Sequence, residues 1–189
     1  MLSISNAPVD TADRILEAAE TCVRHFGPER VTLAEIARRA GVSRPTVYRR
    51  WPDTRSILAA VLTSRITAAL REIPLTGEGR QALVERVVRV GDRLREDDIV
   101  MTLLRSELAM VYITERLGTS QQILIDALAD DLRAAQRDGS VRPGDPRRLA
   151  AMVLLITQST IQSARLVGPI LDADALAGEL RYALNGYLS

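Results

Sequence analysis

The chain has 189 residues, with 25 Lys plus Arg against 24 Asp plus Glu, one His, one Cys and a formal net charge of +1. At roughly 100–200 residues per domain this is one or two units able to bury a core, and 47% apolar with 26% charged residues is a globular composition rather than a disordered one. A single His and a single Cys exclude a multi-Cys/His zinc site, a disulfide framework and a Cys-x-x-Cys redox pair, and leave any Ser-His-Asp or Cys-His relay only His25 to use.

The opening MLSISNAPVD has no basic start followed by an apolar stretch, so no secretory signal is expected. From Thr11, residues Ile15, Ala19, Val23 and Phe26 fall on one helical face, and Gly27-Pro28 ends that helix. Cys22 lies among these apolar positions as an inert thiol, and His25 sits at the C-terminal end, where the helix dipole favours an imidazolium. Thr32 and Glu35 have the spacing of a capping box that opens a short helix, Leu33 to Ala40, closed by Gly41. Ser43 can cap a third helix, with Pro45 tolerated in its first turn, and Trp51-Pro52-Asp53 ends it. Asp53 can cap a fourth helix reaching about Ile73, with Ile57, Val61, Ile66, Ala69 and Leu70 inward.

After PLTGEG (74–79), helices are predicted at about 80–95, 98–117, 120–137, 146–167 and 173–188. Period-two alternation is absent, so the expected fold class is all-α with about nine helices. The longest apolar run, LAAMVLLI (149–156), is shorter than the roughly 20 residues of a membrane span. A soluble, cytoplasmic protein without a membrane partner, metal or cofactor is the expectation. With one His and no glycine-rich phosphate loop, so is one that is not an enzyme.

Charge divides unevenly along the chain. Residues 30–55 hold seven Arg (30, 38, 39, 44, 49, 50, 55) and two acids (Glu35, Asp53), a sum of +5, which leaves −4 for the remainder. That patch coincides with two short helices joined by a four-residue turn containing glycine, the layout of a helix-turn-helix whose second helix projects into a major groove. Leu33, Ile36, Ala37, Val42 and Val47 supply the apolar contacts, so Arg44, Thr46, Arg49 and Arg50 point outward. Arginine can donate two hydrogen bonds to guanine O6 and N7, and threonine can contact a thymine methyl or a phosphate.

The run VTLAEIARRAGVSRPTVYRRWPDTRSIL (31–58) resembles the DNA-binding motif of TetR-type (TetR/AcrR) transcriptional regulators. The matching features are Thr32, Ile36-Ala37, Ala40-Gly41-Val42-Ser43, Thr46-Val47-Tyr48 and an aromatic residue three positions on. The resemblance implies a DNA-binding domain at 9–69, with its motif at about 32–51, and an effector-binding and dimerisation domain at 70–189. It makes Arg44, Pro45 and Arg49 base-edge readers, and Thr32, Thr46, Tyr48 and Arg50 phosphate or sugar contacts, with Ser43 at the head of the reading helix. Tyr48 has a second reading, as a wedge between the third and fourth helices. Two departures stand out: Trp51 replaces the family's usual Phe, and Thr54 occupies the place of a phosphate-anchoring Lys. No Lys occurs anywhere in the chain, so Arg50 or Arg55 would take over that charge.

The implied partners are a palindromic double-stranded DNA operator, a second copy of the chain and a small-molecule effector. Two-fold symmetry sets two reading helices about 34–36 Å apart, one DNA turn. Dimerisation is expected through Met152, Val153, Ile156 and Ala164 on one helix and Leu176, Leu180, Leu184 and Leu188 on the next, unless these stripes fill the subunit's own core. Pocket candidates are Leu62, Ile66, Leu83, Val87, Met101, Leu104, Leu108, Leu124 and Leu155, with Glu107, Tyr112, Gln158 and Gln162 as polar groups. So aliphatic a lining suits a flexible apolar molecule and not an aromatic cation. Glu107, spaced among Leu104, Leu108 and Val111, would meet a cationic ligand group or an Arg across the core. Gln158 and Gln162 would bond a ligand or each other across a dimer. The functional expectation is a ligand-responsive repressor, with a DNA-independent all-α carrier or enzyme for apolar molecules as the alternative.

Overall fold

The computed structural model describes residues 10–107 and 118–189, and among these the chain forms nine α-helices and no strand. They are α1 (Thr11–Phe26), α2 (Leu33–Ala40), α3 (Arg44–Arg50), α4 (Thr54–Glu72), α5 (Gly79–Arg95), α6 (Asp98–Leu104), α7 (Thr119–Arg137), α8 (Pro146–Val167) and α9 (Ala173–Leu188), with a 3-10 turn at Pro28–Arg30. The chain separates into two compact units, one ending at Val61 and the other beginning at Leu62. That division falls inside α4, upstream of the boundary after residue 69 that the sequence suggests.

In the first unit α1 buries Ala12, Ile15, Ala18, Ala19, Cys22 and Val23, and its side-chain cap is Asp10, which accepts from the Ala12 N–H. Gly41 ends α2 in the left-handed region (φ 63°, ψ 37°), which glycine adopts without the Cβ clash of other residues. The Gly41 N–H bonds Arg38 O at 3.3 Å and the Val42 N–H bonds Ala37 O at 3.1 Å, so the final turn of α2 closes on itself. Arg14 Nη2 donates to Ala40 O at 2.7 Å, occupying another carbonyl at that terminus. Val47, fully buried, pins α3. Burying a valine contributes roughly 1.5–3 kcal/mol, enough to seat a two-turn helix that is too short to be stable alone.

The second unit is built around α5. Leu83, Val84, Val87 and Val88 interlock with Ile125, Ala129 and Leu132 of α7, Leu149, Ala150 and Val153 of α8, and Leu180, Leu184 and Leu188 of α9. Gly91 of α5 faces α8, where a Cβ would stand 3.5 Å from Thr157 Cγ2, an ordinary van der Waals contact. A second apolar cluster joins Ile66, Ala69 and Ile73 to Val90, Leu94 and Val100. Arginines fasten the end of α4 beside it. Arg86 donates to Ile73 O (3.0 Å) and to Asp131 of α7 (2.7 Å), and Arg93 donates to Glu72 (2.9 Å). Asp97 caps α6 through the Ile99 and Val100 N–H groups and pairs with Arg65 at 3.4 Å.

Three local expectations change. The helix foreseen over 98–117 stops at Leu104, where Arg105 and Ser106 leave the helical run and the Ser106 hydroxyl bonds back to Leu103 O at 2.7 Å. The α9 stripe Leu176, Leu180, Leu184 and Leu188 is buried within the subunit, as is Val153 of α8, and Ile156 packs on the same core. Leu180, Leu184, Leu188 and Val153 share their core with α5, so the subunit itself accounts for much of these two stripes. Of the predicted dimer residues, Met152 is exposed and Ala164 half-buried, whereas Leu155, Leu166, Ile170 and Tyr182 are exposed apolar side chains the prediction omitted. By length and composition α8 (22 residues) could cross a membrane, although no single apolar run within it is that long; its Leu149, Ala150, Val153, Thr157 and Ile161 are core residues.

Candidate nucleic-acid interface

The turn from Gly41 to Ser43 delivers α3 with Val47 inward and Arg44, Pro45, Tyr48, Arg49 and Arg50 exposed. Ser43 stands at the N-cap position but does not cap by its side chain. Its hydroxyl meets the Thr46 hydroxyl at 2.8 Å, while the Thr46 N–H takes the Ser43 carbonyl at 3.0 Å. Thr46 is therefore half-buried and partly committed. Tyr48 is 50% exposed, so about half of its surface is open to a partner and half is covered by the protein. Thr32 is exposed at the N-terminus of α2, where its hydroxyl accepts from the Glu35 N–H at 3.2 Å. Asp53 and Ser56 cap α4 reciprocally: Asp53 Oδ1 accepts from the Ser56 N–H at 2.7 Å and Ser56 Oγ accepts from the Asp53 N–H at 3.4 Å.

The structure sorts the seven arginines of the patch. Arg38 and Arg39 both bond Glu35, Arg30 Nε donates to Phe26 O at 2.8 Å, and Arg50 lies over the Trp51 ring at 5.6 Å. Arg44, Arg49 and Arg55 have no hydrogen bond or ion pair among the described residues, and all three are exposed. Hydrogen bonds from Arg38 and then Arg39 hold the Glu35 carboxyl down at about 2. Half of the expected capping box is thus missing, since the Glu35 carboxylate serves two arginines instead of the Thr32 N–H. Sequence reading passed over this cluster, although the i,i+3 and i,i+4 spacings of Glu35, Arg38 and Arg39 signal it. Burial pushes the Cys22 thiol pKa up, the condition of an unreactive cysteine.

Among the predicted pocket residues, Leu62, Ile66, Leu104 and Leu124 come together in the cluster of α4, α5, α6 and α7. Leu83 and Val87 belong to the other core, Met101 is buried, and Leu155 is 59% exposed. Gln158 is half-buried, whereas Gln162 and Glu107 are exposed. The break at Arg105 and Ser106 falls between Glu107 and Leu104, and Val111, the far neighbour in the expected pattern, lies outside the described residues. Leu108 and Tyr112 lie outside the described residues. A separate open groove is lined by Arg80, Gln136, Ser140, Val141, Arg142 and Ser189, none of them predicted.

The family model for bacterial regulatory proteins of the tetR family matches residues 15–61, which span α2, α3 and parts of α1 and α4. An HTH-type transcriptional regulator of Mycobacterium bovis is 69% identical over 188 residues, covering 100% of both chains. Among solved structures, the TetR-family repressor QsdR of Rhodococcus erythropolis matches with a TM-score of 0.69 and 20% identity, over 95% of this chain and 96% of QsdR. FadR of Bacillus subtilis, in complex with stearoyl-CoA, matches at 0.65 and 18%, over 93% of this chain and 98% of FadR. The two structures share the fold, and the full-length relative supports a DNA-binding regulator rather than a DNA-independent carrier. The chain belongs to the TetR family of bacterial transcriptional regulators.

Proposed function

We propose that the protein is a homodimeric repressor that reads an inverted-repeat operator through α3 and is released by a small apolar molecule held among α4, α5, α6 and α7. The observation that carries the reading is the group of exposed, unpartnered arginines at Arg44, Arg49 and Arg55 on and beside α3. Arg44, Pro45 and Arg49 read base edges. Thr32, Thr46, Tyr48 and Arg50 contact phosphate or sugar, and Ser43 and Thr54 flank them. Arg55, one residue after Thr54 and free of partners, supplies the anchoring charge that the missing Lys would have given.

One short reading helix makes too few contacts for tight specific binding, so two copies are needed. Met152, Leu155 and Leu166 recur at three- and four-residue multiples along the solvent side of α8, and Tyr182 is 80% exposed on α9. These faces form the dimer contact in place of the buried stripes. For the effector, the aliphatic cluster and the stearoyl-CoA bound by FadR both favour a long acyl chain. The effector would act through α4, which contributes residues to both units.

The test is fluorescence anisotropy on operator DNA titrated with stearoyl-CoA, alongside sedimentation to count subunits. A DNA-bound dimer whose affinity falls 5–150-fold with ligand supports the reading. A monomer, or equal affinity with and without ligand, contradicts the dimer or the acyl effector respectively.

A further inference from the structure

We propose that Glu35 sets the selectivity of DNA binding by holding Arg38 off the phosphate backbone. Glu35 takes Arg38 in a two-pronged bond, Nε to Oε2 at 2.9 Å and Nη2 to Oε1 at 2.6 Å, and takes Arg39 Nε at 2.7 Å on Oε1. The two arginines differ. Arg39 is also stacked over Phe26 at 5.2 Å and its side chain is 26% exposed, so it belongs to the α1–α2 packing. The Arg38 side chain is 70% exposed, and among the described residues Glu35 is its only hydrogen-bond or ion-pair partner.

An isolated surface ion pair is too weak to keep an arginine from a polyanion. This carboxylate is better placed. It accepts three charge-assisted bonds, and it lies in the first turn of α2, where the helix dipole favours negative charge. The low carboxyl pKa of about 2 agrees with that placement. With Arg38 held by Glu35 and Arg39 held in the α1–α2 packing, neither arginine contributes a phosphate contact. Each phosphate neutralised by an arginine adds sequence-independent affinity through counterion release. Withholding Arg38 therefore lowers non-specific binding by one phosphate contact per protomer and leaves the base contacts of α3 untouched. Glu35 is in this sense a positioning residue for selectivity, and the inference rests on the DNA-binding reading of α2 and α3.

The test measures binding to a random-sequence duplex between 50 and 200 mM salt for the wild type, Glu35→Gln, Arg38→Gln and the double variant. Glu35→Gln is expected to tighten binding and steepen the salt slope by about one unit per bound protomer, so that about three- to fourfold more affinity is lost across that range. Arg38→Gln alone is expected to leave affinity and slope at wild-type values, and the double variant to return to them. An unchanged slope in Glu35→Gln, a shallower slope in Arg38→Gln, or a steepening that survives in the double variant each overturns the proposal. The last outcome would mean that Glu35 simply repels phosphate. If Glu35→Gln fails to fold by circular dichroism, Arg38→Gln alone decides. A wild type that binds no duplex would instead defeat the DNA-binding reading.

Discussion

Arg49 and Arg50 are adjacent, both exposed, and physically unlike. Arg50 is steadied over Trp51 at 5.6 Å, whereas no hydrogen bond or ion pair among the described residues directs Arg49. Arg49→Ala is therefore expected to cost about 1–3 kcal/mol per half-site on cognate DNA and much less on scrambled DNA. Arg50→Ala should weaken both equally and lower the salt slope by about one, which a filter-binding salt series would separate. Glu35 gives a pH prediction with a definite sign. Its folded pKa of about 2 lies below the ordinary 4.5, so its ion pairs stabilise the fold fully above about pH 4.5 and lose that effect as pH falls towards 2. Carboxyl NMR should find Glu35 still ionised at pH 3, and Glu35→Gln should match the wild type in melting temperature only at the acid end. The arginine-rich patch was legible from counting residues. That two of its arginines are bound by Glu35 was obscured because the capping box offered that carboxylate a different partner, and the competing bonds from Arg38 and Arg39 won.

At the scale of elements, the α2–α3 turn depends on Gly41 at φ 63°. Gly41→Ala should destabilise the protein by about 1–2 kcal/mol in urea unfolding, since only glycine holds the left-handed region without that penalty. Ser43→Ala should cost less than the roughly 1 kcal/mol of a true N-cap, because the Ser43 hydroxyl bonds Thr46 Oγ1 rather than a helix N–H. Caps at Thr32, Asp53 and Gly41 were readable because each is a local bargain between neighbouring residues. The leucine repeat of α9 was readable only as a face. Periodicity says that a helix has an apolar side, not whether its neighbour is α5 or a second subunit, and here α5 takes it. Hence Leu184→Glu should unfold the subunit, whereas Leu155→Glu, at a position 59% exposed, should leave melting nearly unchanged and shift sedimentation towards monomer.

For the whole molecule, the net charge of +1 conceals a basic segment at residues 30–55 and an acidic remainder, and the structure narrows the basic part to a few arginines available to DNA. The division after Val61 falls inside α4, which runs through it without a break in helical pattern, so the sequence carries no boundary signal there. The central claim is that two copies of α3 read duplex DNA through Arg44 and Arg49. Its most direct test is selection of genomic fragments bound by the purified protein, in parallel with an Arg44→Ala/Arg49→Ala variant. The account predicts an enriched inverted repeat with half-site centres about 10–10.5 base pairs apart or a multiple of that, lost in the variant. No enriched sequence, or the same enrichment without the two arginines, would contradict it.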